Sequence, residues 1–389
     1  MAQTTLTATC LKGFEDILAA EIQALPNTSH IKKDHQAVVF QTSELKRTII
    51  QANLCLRTAI AVLEPIGQFY VESANELYNQ IYEIEWQNYL NSNQTFAIHS
   101  TTNSRFFTHS HFVSLKAKDA IVDRFRDQSG ARPTVNIENP DLRLHLRIDH
   151  RNQCTISRNS SGEPLFKRGY RTRTTKAPLN EVLAAGLVLL TGWQPTTPLI
   201  DPMAGSGTIP IEAALLALGI APGLFRENFG FMDWHDFDEY SFQEIRNQLL
   251  TEANQSIAQT DSLPIFGSDS SPIATDIMVE NIGQAGLKNK ITIQTLPFDQ
   301  LKAPAQTGTI IMNPPYGERM KKQDIDSFYS MIGDTLKKNF FGFTAWIFSG
   351  NPEALKHIKL SSQKQIPLKN GPIDCMYQCY QIYEGSKNN

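Results

Sequence analysis

Cysteine is scarce and unpatterned in this chain: five among 389 residues, at Cys10, Cys55, Cys154, Cys375 and Cys379. The odd count excludes a closed disulfide framework, and the spacings contain neither C-x-x-C nor a zinc-ligand set. Reduced core thiols are expected. No apolar run approaches the length that crosses a bilayer. The start, Met1-Ala2-Gln3-Thr4-Thr5, lacks the basic-then-apolar order of a secretory signal, so a cytoplasmic protein is expected. Positive charge is not in excess either. Lys and Arg total 36 against 39 Asp and Glu, a formal net charge of −3. Any nucleic-acid partner must therefore be met by a local basic surface. The dinucleotide fingerprint G-x-G-x-x-G is missing. No cluster of metal ligands and no nucleophile–base set appears, so no metal is expected. What remains, 41% hydrophobic and 19% charged residues, is a globular composition with room for two or three domains.

The most informative stretch is Asn313-Pro314-Pro315-Tyr316, directly after the apolar run Thr309-Ile310-Ile311-Met312. It sits where a buried strand breaks into a loop. An Asn amide oxygen and a proline-held carbonyl both accept from an exocyclic –NH2 group, two prolines stiffen the loop, and an aromatic ring offers a stacking surface. A proline-rich turn that merely closes a strand has the same local sequence. Upstream, Pro198-Leu199-Ile200-Asp201-Pro202-Met203-Ala204-Gly205-Ser206-Gly207-Thr208 reads as strand, glycine loop and helix through Ile209–Leu218. Glycines at such a turn let a ligand lie against the backbone at a helix N-terminus. An acid, Asp201, ahead of a short Gly-x-Gly turn suits a ligand with a cationic centre and a carboxylate better than a pyrophosphate, and S-adenosylmethionine is such a ligand. Ile265–Asp269 looks like a second strand ending in an acid placed for ribose hydroxyls, followed by a helix over Pro272–Ala285. Ile291–Leu296 reads as a third strand, with Asp299 beyond it placed for an adenine amine. Asp269 and Asp299 are equally plain as helix caps or turn formers. The order of these features at successive strand ends carries the reading.

From Asp201 to Tyr316 the chain resembles a class I S-adenosylmethionine-dependent methyltransferase of the amino-methylating kind. Arg105–Phe112, running on through Leu115–Phe125, and Val135–Asp141 resemble a THUMP RNA-binding domain. Gly162–Arg171, Ala177-Pro178-Leu179 and Asn313–Met320 are similar to RlmL-type large-subunit rRNA guanine-N2 methyltransferases, although Asn159-Ser160-Ser161-Gly162 stands where relatives often read Asp-Leu-Ser-Gly. The resemblance covers nearly the whole chain. It implies an α/β, Rossmann-like methyltransferase sheet with a C-terminal antiparallel hairpin, preceded by α+β ferredoxin-like and THUMP domains. It implies S-adenosylmethionine as cofactor, held by Asp201, Ala204, Gly205, Gly207, Asp269 and Asp299. It implies methyl transfer to the N2 amine of a guanine in 23S rRNA at Asn313, Pro314, Pro315 and Tyr316, with Tyr316 stacking on an extruded base. Some relatives fuse a second methyltransferase domain, and no second activity is expected here.

The expected domains are 1–65 (ferredoxin-like), 66–158 (THUMP) and 159–389 (methyltransferase). Alternation in Leu142–Ile148 puts Arg143, His145 and Arg147 on one face of a sheet. Between Arg158 and Lys176 six basic residues face one acid, a local net of +5. Lys167, Arg168, Arg171, Arg173 and Lys176, interleaved with Phe166 and Tyr170, are expected to bind RNA, because bases stack on aromatic and guanidinium faces. A solvated linker is the plainer alternative. An aromatic-rich insertion over about 220–263 is expected to pack over the catalytic sheet. Its His235-Asp236 pair reads as structural. The chain closes with an apparent hairpin, Gln365–Leu368 and Cys375–Ile382 around Asn370-Gly371. The competing readings are methylation of a tRNA guanine or an adenine, a non-catalytic RNA-binding assembly factor, and a nicotinamide oxidoreductase.

Overall fold

The computed structural model describes residues 3–174, 178–317 and 322–383. Two compact units account for the chain. The first comprises residues 1–10, 19–165 and 226–245, and the second 11–18, 166–225 and 246–389.

The first unit is built on one mixed eight-stranded sheet. Its strands are β1 (Thr4–Cys10), β2 (Thr28–Asp34), β3 (Ala37–Thr42), β4 (Ala59–Tyr70), β5 (Thr95–Thr102), β6 (Thr134–Val135), β7 (Leu142–Ile148) and β8 (Gln153–Asn159). They lie in the order β2-β3-β1-β4-β8-β7-β5-β6. Helix α1 (Glu15–Gln23) follows β1. Helices α2 (Leu45–Cys55), α3 (Ala74–Tyr82) and α4 (Ser110–Ser129) complete the run. β4 crosses residue 65, with a register shift between Pro65 and Gly67, so the ferredoxin-like and THUMP segments share a sheet through one continuous strand. β7 alternates as the sequence implies: Leu142, Leu144, Leu146 and Ile148 are buried, and Arg143, His145 and Arg147 line the other face. That second face is engaged, because Arg143 pairs with Glu163 and Arg147 with Asp34.

The aromatic insertion is divided: its residues 220–225 and 246–263 fall in the second unit. Residues 226–245 belong to the first unit. There Phe229, Phe231, Phe237 and Phe242 pack ring on ring. Trp234 lies over Arg158, whose guanidinium carbon is 3.8 Å from the ring centroid. Arg158 is 3% exposed and bound to Glu64 and Asp236, so it is a core cation and not part of a surface patch. Arg226 draws the segment onto the chain by donating to the carbonyls of Ser161, Glu163 and Pro164. The energetic reason is plain: a desolvated guanidinium must find acceptors, and these lie on the first unit.

The second unit is the doubly wound sheet. Its strands are β9 (Leu199–Asp201), β10 (Ile265–Asp269), β11 (Thr292–Thr295), β12 (Gly308–Met312), β13 (Phe343–Ser349), β14 (Lys364–Asn370) and β15 (Ile373–Gln381). The order is β11-β10-β9-β12-β13-β15-β14, parallel from β11 to β13 and antiparallel at β15 and β14. The remaining helices are α5 (Glu181–Thr191), α6 (Thr208–Ala217), α7 (Glu239–Gln259), α8 (Pro272–Gln284), α9 (Lys322–Asn339) and α10 (Pro352–Leu355). The terminal hairpin is present, joined by Gly371, at φ +58, and Pro372. Between β12, β13 and α9 a core of Ile310, Met312, Tyr329, Ile332, Leu336 and Phe343 is fully buried. It fixes the height of the β12 tip. The strand order reverses between β9 and β12, which opens a crevice beyond their carboxyl ends.

Candidate active site

Three strand tips meet at that reversal. After β9 the chain turns through Gly205, at φ +54, and Gly207, at φ +84, before α6 begins. Such angles suit glycine because any other residue would crowd its own Cβ. A Cβ at Gly207 would also lie 2.6 Å from Cγ of Met278 on α8. The loop is closed by its own backbone: Gly207 N–H donates to the Ala204 carbonyl at 2.8 Å, and Ala204 N–H to the Ser268 carbonyl at 2.9 Å.

Asp201 is 1% exposed and accepts from Met203 N–H at 3.2 Å. Burial pushes its carboxyl well above the usual carboxylate range, with Asp269 adding to the effect. It thus lies beneath the loop, not on its rim. Asp269, at the tip of β10, accepts from Gly205 N–H at 3.0 Å and from Ser271 N–H at 2.9 Å. Its two oxygens tie the glycine loop to the start of α8 while keeping further acceptor capacity. Asp299 lies exposed in a 3-10 turn, Phe298–Gln300, with Phe298 buried beneath it.

The β12 tip carries the tetrad. Pro314 is buried, Pro315 is exposed, and Asn313 and Tyr316 are half-buried. Tyr316 donates its hydroxyl to Asn313 Oδ1 at 2.8 Å. Its ring rests on Gly350, where a Cβ would come within 2.7 Å, and meets Phe348 edge-on at 6.5 Å. The Tyr316 carbonyl accepts from Asn351 Nδ2 at 3.0 Å, and the Pro315 carbonyl from Tyr329 at 3.3 Å. Tyr329 in turn meets Ser349 at 2.7 Å. Burial raises the Tyr316 phenol, so it stays protonated and remains a donor. The half-buried Tyr316 thus orients the Asn313 amide through its hydroxyl. Pro315, beside it, offers an exposed, flat apolar surface.

The basic stretch needs correction. Arg168 is 1% exposed and pairs with Glu212 of α6 at 3.5 Å. Arg171 pairs with Glu181 of α5 at 2.8 Å and donates to the Leu179 carbonyl. Tyr170 is buried and donates to Glu212 at 3.0 Å. These three lock this stretch, the strap of residues 166–174, to α5 and α6; Arg168 and Tyr170 have no surface to offer a nucleic acid, while Arg171 keeps 15% of its side chain exposed. The physical cause is two acids on apolar helices, each of which requires a cation or donor once buried. Burial pushes the Glu181 carboxyl up to about 7 even with Arg171 beside it. Lys167 is exposed, and Arg173 is 57% exposed with Glu280 as its partner. Lys176 lies outside the described residues. Glu181, Glu212 and Asn281 are the residues the linear reading passed over. A lone acid inside the apolar run of α6, Thr208–Ala217, was the available signal, since such a residue is buried only with a partner. Among the described residues no group of three or more His, Cys, Asp and Glu could hold a metal ion, and no helix is long and apolar enough to cross a membrane.

A glycine loop at a helix N-terminus, acids at the tips of β9 and β10, and an amide at the tip of β12 fit a ligand that joins an amino acid to a nucleoside. Comparison with known proteins agrees. Residues 168–379 match the RMKL-like methyltransferase domain, 71–159 the THUMP domain, and 5–63 the RlmL ferredoxin-like domain. The Synechocystis sp. protein slr0064, whose name assigns it to RNA methylation, is 37% identical over 97% of this chain and 96% of its own. A protein of Clostridium difficile 630 assigned as a methylase superposes with a TM-score of 0.86 at 29% identity, covering 100% of both chains. SMU.472, assigned as a methyltransferase and solved with S-adenosylhomocysteine, superposes at 0.84 with 27% identity, again over 100% of both. The chain belongs to the THUMP-bearing, RMKL-like methyltransferase family, and S-adenosylmethionine is its cofactor.

Proposed function

We propose that this chain methylates RNA, and specifically that it transfers a methyl group to the exocyclic N2 amine of a guanine in large-subunit (23S) rRNA. The observation that carries the reading is the Asn313 amide at the β12 tip, its oxygen held by the Tyr316 hydroxyl beside the sheet's reversal point. An RNA substrate is supported by the THUMP match over residues 71–159 and by a relative named for RNA methylation. Guanine and the large subunit rest on the likeness of Gly162–Arg171 and Asn313 onward to RlmL-type enzymes.

The N2 lone pair is delocalised into the purine ring, so the amine is a poor nucleophile. When bound, S-adenosylmethionine supplies an electrophilic methyl on a sulfonium. The task left to the protein is to localise that lone pair and to tolerate the positive charge that grows on nitrogen. Asn313 Oδ1 has two acceptor positions. Tyr316 fills one, and the amine N–H would take the other, with the Pro314 carbonyl as second acceptor. Such acceptors favour the tetrahedral, cationic nitrogen of the transition state over the flat ground state. The methylated amine is acidic and releases its proton to water, so no strong base is required. Asp201, Ala204, Gly205, Gly207, Asp269 and Asp299 are the residues assigned to the cofactor. In this scheme Asp201 acts through the loop it supports, while Asp269 offers its spare acceptor capacity to the ribose. Lys167 and Arg173 remain as phosphate contacts on the strap. Adenine N6 would meet the same two acceptors, and the linker likeness is what selects guanine.

The test is nucleoside mass spectrometry of 23S rRNA from cells with and without the gene. Loss of one N2-methylguanosine, restored by the wild-type chain and not by Asn313→Ala, is expected. An unchanged N2-methylguanosine content would refute the proposed substrate.

A further inference from the structure

The glycine loop and the basic strap meet at one side chain. Asn281 of α8 is 0% exposed. Its Nδ2 donates to the Ser206 carbonyl within the loop at 3.0 Å and to the Arg173 carbonyl within the strap at 3.1 Å. Its Oδ1 accepts from Thr172 N–H at 3.3 Å. Both donor hydrogens and one acceptor position are thus in use. A buried amide satisfied this fully is costly to disturb at either end. The same helix face carries Met278, which fills the space behind Gly207. The residue before Asn281 on α8, Glu280, holds the strap from its exposed side through Thr172 Oγ1 and Arg173 Nη1, each at 3.0 Å.

We infer that Asn281 is a positioning residue that couples the strap to the cofactor loop, so that filling the cofactor site also orders Thr172 and Arg173. This rests on the reading that Gly205–Gly207 holds S-adenosylmethionine. The physics is a shared amide: the loop conformation that seats Ser206 O on Nδ2 also fixes the plane that Arg173 O and Thr172 N–H must meet. Coupling of this kind is reciprocal in binding free energy. An anionic partner that fixes the strap, such as an RNA phosphate on Arg173, tightens cofactor binding by the same factor.

Trypsin reads the strap directly, because it cleaves after Arg171 and Arg173 once they open. In the wild-type protein, saturating S-adenosylhomocysteine is expected to slow cleavage at these sites about fivefold, the low end of a typical coupling. Asn281→Asp and Asn281→Leu remove both donors. They should still bind S-adenosylhomocysteine, measured by calorimetry, but lose the protection. Glu280→Ala, which spares the Asn281 amide, should retain it. If neither Asn281 variant folds, Thr172→Pro deletes the strap's donor to that amide and should weaken the protection read at Arg173, the bond between Arg171 and the new proline being itself resistant to trypsin. A simple loss of stability would raise cleavage with and without ligand alike and leave their ratio intact. Protection that survives in the Asn281 variants, or its absence in wild type with ligand bound, overturns the coupling alone. Failure of wild type to bind S-adenosylhomocysteine overturns the cofactor-loop reading as well.

Discussion

Gly207→Ala is the sharpest structural perturbation of the proposed cofactor site. Two costs add. The residue sits at φ +84 and ψ 17, where a Cβ costs about 1–2 kcal/mol. The new methyl would also stand 2.6 Å from Met278 Cγ, 3.4 Å from its Cβ and 3.5 Å from its Sδ. Met278 is 0% exposed and cannot swing into solvent, so the overlap behaves as core overpacking at about 1–3 kcal/mol. Together they bring about 2–5 kcal/mol against the native loop. The loop relaxes away from its binding geometry, and restoring that geometry is charged to ligand binding. At 1.4 kcal/mol per decade, affinity for S-adenosylhomocysteine falls at least about 25-fold. Isothermal calorimetry measures it, with the thermal midpoint as companion. Adding Met278→Ala removes the steric part and leaves the backbone part, so affinity recovers only partly, while the midpoint drops further from the cavity left behind. Wild-type affinity in Gly207→Ala would show that the ligand does not rest on this loop.

Three further outcomes follow from named contacts. Asn313→Ala abolishes methyl transfer while S-adenosylhomocysteine affinity survives; retained turnover would remove the amide from the mechanism. Tyr316→Phe deletes the 2.8 Å hydrogen bond to Asn313 and leaves the ring in place, so kcat falls by about fivefold for a bond of roughly 1 kcal/mol, with cofactor affinity unchanged; an unaltered kcat would mean the amide needs no such support. Glu181 gives a pH signature. Its folded carboxyl is raised from 4.5 to about 7, so its contribution to stability is complete below 4.5 and is lost as pH rises through 7. Glu181→Gln should flatten the thermal midpoint across that window, and a profile parallel to wild type would refute the assignment.

The catalytic half was legible because its strands end abruptly. Apolar runs at Pro198–Ile200 and Thr309–Met312 stop at Asp201 and at Asn313-Pro314, where backbone and side chain both change character. The closing hairpin was signalled by Asn370-Gly371, although the loop itself is Gly371-Pro372. The edge strand β2, Thr-Ser-His-Ile-Lys-Lys-Asp, was not legible, since its pairing with β3 leaves no apolar period to see. Nor was the fate of the strap. Arg168 and Arg171 read as surface charge because their partners, Glu212 and Glu181, lie 44 and 10 residues away in sequence. Only folding brings those acids against them. The insertion followed the same logic: its aromatic content announced a core, but Arg158 and the carbonyls of Ser161–Pro164 decided which one.

The central claim is tested most directly by transfer of label from S-adenosylmethionine to unmodified large-subunit rRNA and, separately, to bulk tRNA, with digestion to nucleosides. The account predicts labelled N2-methylguanosine in the rRNA alone. Label in tRNA or on adenine would contradict the substrate, and cofactor binding without any labelled product would contradict the claim that this site catalyses methyl transfer.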